Sequence, residues 1–249
     1  MRYVQKRQPV SIISVLEKMR QGQTEPYLCV AENNEEYIVK GLGATRRSQI
    51  SEWICANLAL RLGLPIADFT LVDVPVELYE ELEGTPFKGI GSGIAFGSKK
   101  VQASNWFEGR SLGLVDEELQ RKILVFDLWI KNMDRTRINP NLLYQAEPNR
   151  LIIIDHNLAF DQDFVLRDFL ETHLFADRFI EIAYDLVKRM EMEDWLQTAL
   201  VALNEICDNL PSEWEWSNIE CDIPASYDFD FMRQVLGRCA VRGVLWEDK

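Results

Sequence analysis

Alternation of apolar and polar residues predicts β-strands in the first half of the chain. Residues 27–31 and 37–40 are β-prone runs on either side of a polar stretch, which predicts an antiparallel hairpin. A further strand is predicted over 69–76. The stretch 79–110, which is rich in glycine towards its middle, predicts a mixture of strand and loop.

Helical periodicity appears between these strands and dominates the second half. Residues 48–62 carry apolar side chains every three or four positions and are followed by Gly63, a typical helix end. Asp116 is the predicted N-cap of a helix that continues to 132. The pattern is almost entirely helical over 165–207, and a last helix is predicted near 229–245.

A second hairpin is predicted from 142–144 and 151–154, around a turn at 147–149, with its second arm apolar enough to be buried on both sides. Strands therefore come first and helices second. This order predicts an α+β fold with a sheet-rich N-terminal lobe at 1–110, a mainly helical C-terminal lobe at 111–249, and a ligand cleft between them.

Composition limits the kinds of partner. The 249 residues include 40 Asp and Glu against 27 Lys and Arg, a net charge of −13, which disfavours nucleic acid and favours a basic protein partner. No apolar run of membrane-spanning length and no signal-peptide core is present, so we expect a cytoplasmic protein without a membrane span. Five widely spaced cysteines without a C-x-x-C pair predict reduced thiols and no structural zinc.

The chemistry concentrates in the middle of the chain. Asp134 is followed five positions later by Asn139, then by the second hairpin, and then by Asp155 at the end of a buried strand. This is the spacing of kinase-type phosphoryl-transfer sites, where one Asp reaches the acceptor hydroxyl and the Asn and second Asp converge on Mg²⁺. Upstream, Lys40 ends a strand and Glu52 lies in the next helix, as in a phosphate-binding Lys held by a helix Glu.

These motifs resemble those of the HipA-like kinases and, more distantly, of the phosphatidylinositol kinases. The resembling residues are Tyr37-Ile38-Val39-Lys40, Glu52 with Leu62-Gly63-Leu64-Pro65, Asp134-Arg135 with Asn139 and Leu142-Leu143, and Asp155 with Leu158-Ala159-Phe160. The likeness covers most of residues 22–161. It implies a two-lobed, protein-kinase-like fold that binds ATP and Mg²⁺. Asp134 would be the catalytic base, Asn139 and Asp155 the metal ligands, and Lys40 the phosphate ligand with Glu52 as its partner.

The chain also departs from these families. Thr136 stands where His commonly follows Asp-Arg, and Asp155-His156-Asn157 replaces Asp-Phe-Gly, so His156 either gates the metal Asp or is an ordinary packed residue. The phosphate-covering loop should precede Lys40, where we expect backbone N–H groups, Gln23 and Thr24 to contact the phosphates. The glycines at 89–97 come too late for that role and predict a mobile loop or a lip of the substrate site.

Several functions remain open on the sequence alone. The first is an ATP-dependent kinase that phosphorylates Ser or Thr of a protein, and the resemblance adds a toxin role with a basic, DNA-binding antitoxin-like partner. A lipid or small-molecule kinase, transfer of the nucleotide itself, and a nucleotide-binding pseudokinase that recognises a partner are the alternatives. Arg46 and Arg47 either contact an anionic substrate or form a solvated loop pair.

Overall fold

The computed structural model of the protein describes residues 8–19, 25–102, 104–107, 113, 115–145 and 150–247. The strands in these ranges are β1 Val10–Lys18, β2 Tyr27–Ala31, β3 Glu36–Lys40, β4 Phe69–Val74, β5 Gly93–Lys99, β6 Ser104–Trp106, β7 Leu142–Gln145 and β8 Arg150–Ile153. The α-helices are α1 Arg46–Arg61, α2 Val76–Glu81, α3 Glu117–Trp129, α4 Leu166–Thr172, α5 Phe179–Ala183, α6 Leu186–Leu200, α7 Leu203–Asp208 and α8 Phe229–Gly237.

Strands β1 to β5 close into a barrel in the order β1-β2-β3-β5-β4. The predicted hairpin of β2 and β3 is confirmed, and a short parallel pairing of β1 with β4 closes the barrel. Every second side chain points inwards, so that Cys29, Val39 and Val72 are fully buried in the barrel core. The barrel wall thereby fixes the position of Lys40, the last residue of β3.

The prediction of a mobile glycine loop at 89–97 is wrong for its second half, because Gly93 to Gly97 form most of β5 in the barrel wall. A side chain at Gly97 would place its Cβ 2.6 Å from a methyl carbon of Val72 on the neighbouring strand. Glycine therefore serves close packing of β5 against β4 here.

Helix α1 lies between the barrel and the C-terminal helices. The predicted helix is confirmed two residues longer at its start; the Thr45 hydroxyl caps it by accepting from the Ser48 N–H, and Gly63 follows its end with a left-handed φ of 72°. Most α1 residues, polar ones included, are buried. Trp53 donates its indole N–H to the Ile206 carbonyl, which joins α1 to α7.

A second sheet, in the order β6-β7-β8, follows the barrel. The hairpin of β7 and β8 is confirmed, while its predicted turn at 147–149 lies outside the described residues. Strand β6 precedes the predicted lobe boundary at 110 yet pairs with β7. The division into 1–110 and 111–249 stays a prediction.

The rest of the chain is mainly helical, as predicted. The helical pattern over 165–207 is divided among α4 to α7, and Asp116 caps α3 as expected. The single helix predicted for 229–245 is wrong in length: α8 ends at Gly237, and two short 3₁₀ turns follow, separated by Gly243 at φ 88°. All five cysteines are free, and no helix in the described ranges is long and apolar enough to cross a membrane.

Candidate active site

Lys40 places its ammonium group between two carboxylates. Because Val39 points into the barrel, Lys40 points to the other side of the sheet, where α1 packs. The Lys40 Nζ donates to Glu52 Oε1 on α1 and, at 2.6 Å, to Asp155 Oδ1 just beyond β8. Lys40 is 7% exposed and Glu52 is 3% exposed. The structure thus brings together three of the residues that the sequence proposes for the site.

Mutual attraction favours the charged forms of Lys40 and Glu52. Burial by itself lowers the pKa of Lys40, but Glu52 and Asp155 outweigh it and the pKa is raised. Burial has the opposite effect on Glu52 and raises its pKa, but the attraction of Lys40 outweighs this, and the pKa of Glu52 is lowered. At Asp155 burial dominates, Lys40 offsets it in part, and repulsion from Glu52 adds to it, so the pKa is raised.

His156 has the position of a packing residue. Its ring is buried and meets Phe126 edge-on at 5.7 Å between centroids. Its backbone N–H donates to Glu52 Oε1 at 3.1 Å. Of the two alternatives for His156, the structure supports packing, and the residue also helps to hold Glu52 in place.

Asp134 lies in the loop that follows α3. Its Oδ2 accepts from Asn139 Nδ2 at 3.0 Å and from Asn141 Nδ2 at 2.8 Å. Its other oxygen, Oδ1, has no hydrogen-bond partner among the described residues. The two amides therefore fix the carboxylate and leave one oxygen free to accept a proton from a substrate hydroxyl.

Asn141 is a candidate metal ligand that the sequence pattern did not identify. Asn139 is exposed, whereas Asn141 is 3% exposed, and the Asn141 carbonyl accepts from Ile154 N, next to Asp155. Asn141 and Asp155 both have a left-handed φ, of 48° and 60°, which Asn and Asp tolerate better than most residues. The sequence signal was the position of Asn141 directly before β7, and spacing alone favoured Asn139.

A buried arginine connects the two halves of the site. The Arg135 guanidinium donates to the Asn141 carbonyl at 2.7 Å and to the carbonyls of Pro140 at 3.2 Å and Ile154 at 3.4 Å. These carbonyls flank the Asp134 loop on one side and Asp155 on the other. Arg135 therefore fixes the separation between the base candidate and the metal-ligand candidate.

Asp127 on α3 supplies the counter-charge for Arg135, and both side chains are fully buried. Asp127 Oδ2 lies 2.6 Å from Arg135 Nε and 3.1 Å from His173 Nε2, while Asn132 donates to Oδ1. Burial raises the pKa of Asp127, but Arg135 and His173 reverse this to a net lowering. The sequence shows only a carboxylate among apolar helix residues, Phe126-Asp127-Leu128, which was the signal for this group.

A cavity of about 520 Å³ opens beside Asp134. Its lining includes Asp134 and Asn157, together with Thr45 and Arg47 at the start of α1. Gln23 and Thr24, the predicted phosphate contacts, lie outside the described residues. The described site is thus the buried group of Lys40, Glu52 and Asp155 next to a cavity lined by Asp134, whose carboxylate has one oxygen without a hydrogen-bond partner among the described residues. This arrangement is suited to phosphoryl transfer.

The family model for HipA-like kinases matches residues 12–249. The chain belongs to the HipA-like kinase family. The match includes the barrel, the candidate site and the C-terminal helices, so the resemblance noted from short motifs extends over nearly the whole chain. No curated protein sequence matches the chain.

The fold is shared with a kinase of known structure. The proinflammatory kinase CtkA from Helicobacter pylori superposes with a TM-score of 0.58 at 11% identity, covering 96% of each chain. The Golgi casein kinase gives 0.45 at 12% identity, covering 96% of this chain and 71% of that one, and its structure with Mn/ADP bound gives 0.44 at 12% identity, covering 96% and 72%. The likeness to CtkA shows that the α+β architecture is protein-kinase-like, as predicted.

Proposed function

We propose that the protein transfers the γ-phosphoryl group of ATP to a hydroxyl group, with Ser or Thr of a protein as the acceptor. Lys40 would bind phosphate oxygens with Glu52 as its partner, and Asp134 would orient the acceptor hydroxyl and take its proton. Gln23 and Thr24 remain the predicted contacts of the loop before β2.

The observation that carries this proposal is the contact of Lys40 with both Glu52 and Asp155. An ammonium group has three N–H donors, and two of them are used here, so one is left for a phosphate oxygen. Asn141 connects this group to Asp134, because its side chain donates to Asp134 and its carbonyl accepts from Ile154. The described residues of the proposed site therefore lie on one continuous network, and this supports the proposal.

The residues also fit a divalent cation. Mg²⁺ in kinases needs only one or two protein ligands, since phosphates and water complete its octahedron. Asp155 and Asn141 supply a carboxylate and an amide oxygen, and oxygen ligands of this kind suit Mg²⁺. Asp155 would hold the ion together with Asn139, as the sequence predicts, or with Asn141. The ion would neutralise charge on the phosphates.

Transfer to a lipid headgroup or a small molecule, and transfer of the nucleotide itself, are the competing reactions. A pseudokinase would bind ATP without transfer. A toxin role with a basic, antitoxin-like partner and a cytoplasmic location stay predictions from the sequence and the resemblance.

The test incubates purified protein and a cell lysate with Mg²⁺ and γ-labelled ATP, then counts label in the protein, lipid and small-molecule fractions. Asp134→Asn and Asp155→Asn are compared with wild type, and Asp194→Asn, an exposed carboxylate paired with Arg242, is the matched control. Parallel reactions with α-labelled ATP detect nucleotide transfer.

With γ-labelled ATP, we expect wild type and Asp194→Asn to label the protein fraction. With Asp134→Asn, we expect the label in protein to fall by about 10²-fold or more. Label in the lipid or small-molecule fraction would instead identify a lipid or small-molecule kinase. Label from α-labelled ATP would instead identify transfer of the nucleotide. ATP binding by all four proteins without transfer by any would identify a pseudokinase.

A further inference from the structure

The cavity beside Asp134 is lined by groups of opposite charge. Its lining includes the carboxylates of Asp134 and Asp161. It also includes the start of α1, with Thr45, Arg47 and Ser48. A ligand that fits this lining presents a hydroxyl group to Asp134 and a negative charge to α1.

Arg47 supplies the positive charge of this lining. Its guanidinium contacts the Phe160 carbonyl at 3.5 Å and has no carboxylate within 4 Å among the described residues. Its neighbour Arg46 is buried and bonded to Trp216 and Ile94 carbonyls, so only Arg47 of the two is available.

The first turn of α1 adds further donors. The helix is 16 residues long, and its positive dipole end faces the cavity. The backbone N–H groups of Arg46 and Arg47 have no acceptor among the described residues. The Ser48 hydroxyl also has no partner there, although Ser48 is only 5% exposed and lines the cavity.

We propose that Arg47, Ser48 and the start of α1 bind a phosphate or carboxylate carried by the protein acceptor, close to the hydroxyl that Asp134 orients. This rests on the proposed function and names its substrate class: Ser or Thr next to an acidic or phosphorylated residue. Lys40 and Asp155, the contacts expected for ATP, do not line this cavity, which favours the acceptor over ATP as the carrier of the anion.

A protein acceptor fits the surroundings better than a small molecule. Ile138, four residues after Asp134, is 97% exposed, and Arg137 beside it is also exposed. An extended peptide can cover such an apolar side chain while its hydroxyl reaches Asp134. We therefore expect a segment several residues long to bind across the Asp134 loop and the start of α1.

The test measures binding without turnover. Fluorescence anisotropy follows a labelled peptide with Ser beside phosphoserine, and its counterpart with Ala in place of phosphoserine, on protein saturated with AMP-PNP. Variants Arg47→Ala and Ser48→Ala are compared with two matched controls. Arg167→Ala removes an exposed arginine on α4, and Ser51→Ala removes a buried hydroxyl one turn further along α1, next to Tyr227. Affinities for AMP-PNP and ADP are measured for each protein.

We expect wild type to prefer the phosphoserine peptide by about tenfold, the value of one charge-assisted contact. Arg47→Ala should abolish this preference, Ser48→Ala should reduce it, and both controls should keep it. Equal binding of the two peptides, or a preference kept by Arg47→Ala, would overturn the proposal. Weaker AMP-PNP binding by Arg47→Ala with unchanged ADP binding would assign the anion to the γ-phosphate instead.

Two further outcomes separate this proposal from the proposed function. If AMP-PNP does not bind to wild type, the proposed function fails, and the peptides are then tested on the nucleotide-free protein. Arg47-dependent binding to phosphatidylcholine vesicles that contain a phosphoinositide, with no binding of the phosphoserine peptide, would assign the anion to a lipid headgroup and overturn the protein acceptor.

Discussion

Lys40 Nζ and Asp155 Oδ1 lie 2.6 Å apart, although the two residues are separated by 115 positions in the chain. One ends a strand of the barrel, and the other follows the last strand of the second sheet. Glu52, on the helix between them, completes the group. This contact joins the two sheets at a single site, and it leads to predictions for each part of the surrounding network.

The two asparagines of the Asp134 loop should differ in their effect on catalysis. Asn141 is buried beside Asp155, whereas Asn139 is exposed. We expect Asn141→Ala to raise the Mg²⁺ concentration needed for half-maximal transfer by tenfold or more, the cost of about one polar contact. Asn139→Ala should have a smaller effect, and titration of Mg²⁺ against initial rate measures both. A larger effect of Asn139→Ala than of Asn141→Ala would identify Asn139 as the metal ligand.

Breaking the buried Asp127–Arg135 pair should destabilise the protein strongly. Asp127→Asn leaves the Arg135 guanidinium as an uncompensated buried charge, which costs about 3–5 kcal/mol of unfolding free energy. Denaturant titration measures this cost. Asp194→Asn, which breaks the exposed pair with Arg242, is the control and should cost about 1 kcal/mol or less. Equal effects of the two changes would contradict the role of Asp127.

His173 should make the stability depend on pH below neutrality. Phe175 N–H donates to His173 Nδ1, so Nε2 carries the proton that binds Asp127, and the folded ring is neutral. Burial lowers the pKa of His173, and Asp127 offsets this only in part. As the pH falls, His173 is therefore protonated at a higher pH in the unfolded chain than in the folded protein. The free energy of unfolding then decreases below pH 6.5 by up to about 1.4 kcal/mol per pH unit.

Chemical denaturation at pH 7.5 and pH 5.5 checks this sign. His173→Gln retains an N–H donor for Asp127 but does not titrate, so its stability should change less over this range. A wild type that gains stability on acidification would show that the sign is wrong.

The buried Arg46 should anchor α1, and with it Glu52. Arg46 donates to the carbonyls of Trp216 and Ile94, and Trp214 donates its indole N–H to the same Ile94 carbonyl. Arg46→Met leaves the Trp216 carbonyl without this donor and should cost about 1–3 kcal/mol of stability. Arg47→Met, one residue further and exposed, should leave the unfolding midpoint almost unchanged. Equal midpoints for both variants would refute the anchor.

The sequence predicts the residues whose roles follow from local pattern. Lys40 and Asp155 end strands with recognisable alternation, and Glu52 lies in a strongly periodic helix, so position and residue type suffice for them. The choice between Asn139 and Asn141 depends on which side chain turns inwards, and spacing does not encode this. The Asp127, Arg135 and His173 group is assembled by helix packing across 46 positions, which no local pattern reveals.

The fold, too, is predictable where its signals are local and not where it depends on contacts between distant residues. The hairpins and α1 have short-range signals, and they are confirmed. Closure of the barrel depends on a parallel contact between Val10 and Val72, far apart in sequence. The glycines of β5 resemble a loop because their role, close approach to β4, depends on a neighbouring strand.

The most direct test of the central claim is a crystal structure with AMP-PNP and Mn²⁺, using the anomalous signal of the metal. We predict a metal peak coordinated by Asp155 and an asparagine side chain, with Lys40 Nζ bonded to a phosphate oxygen and the γ-phosphate facing Asp134. A nucleotide bound with its metal away from Lys40 and Asp155 would contradict the account.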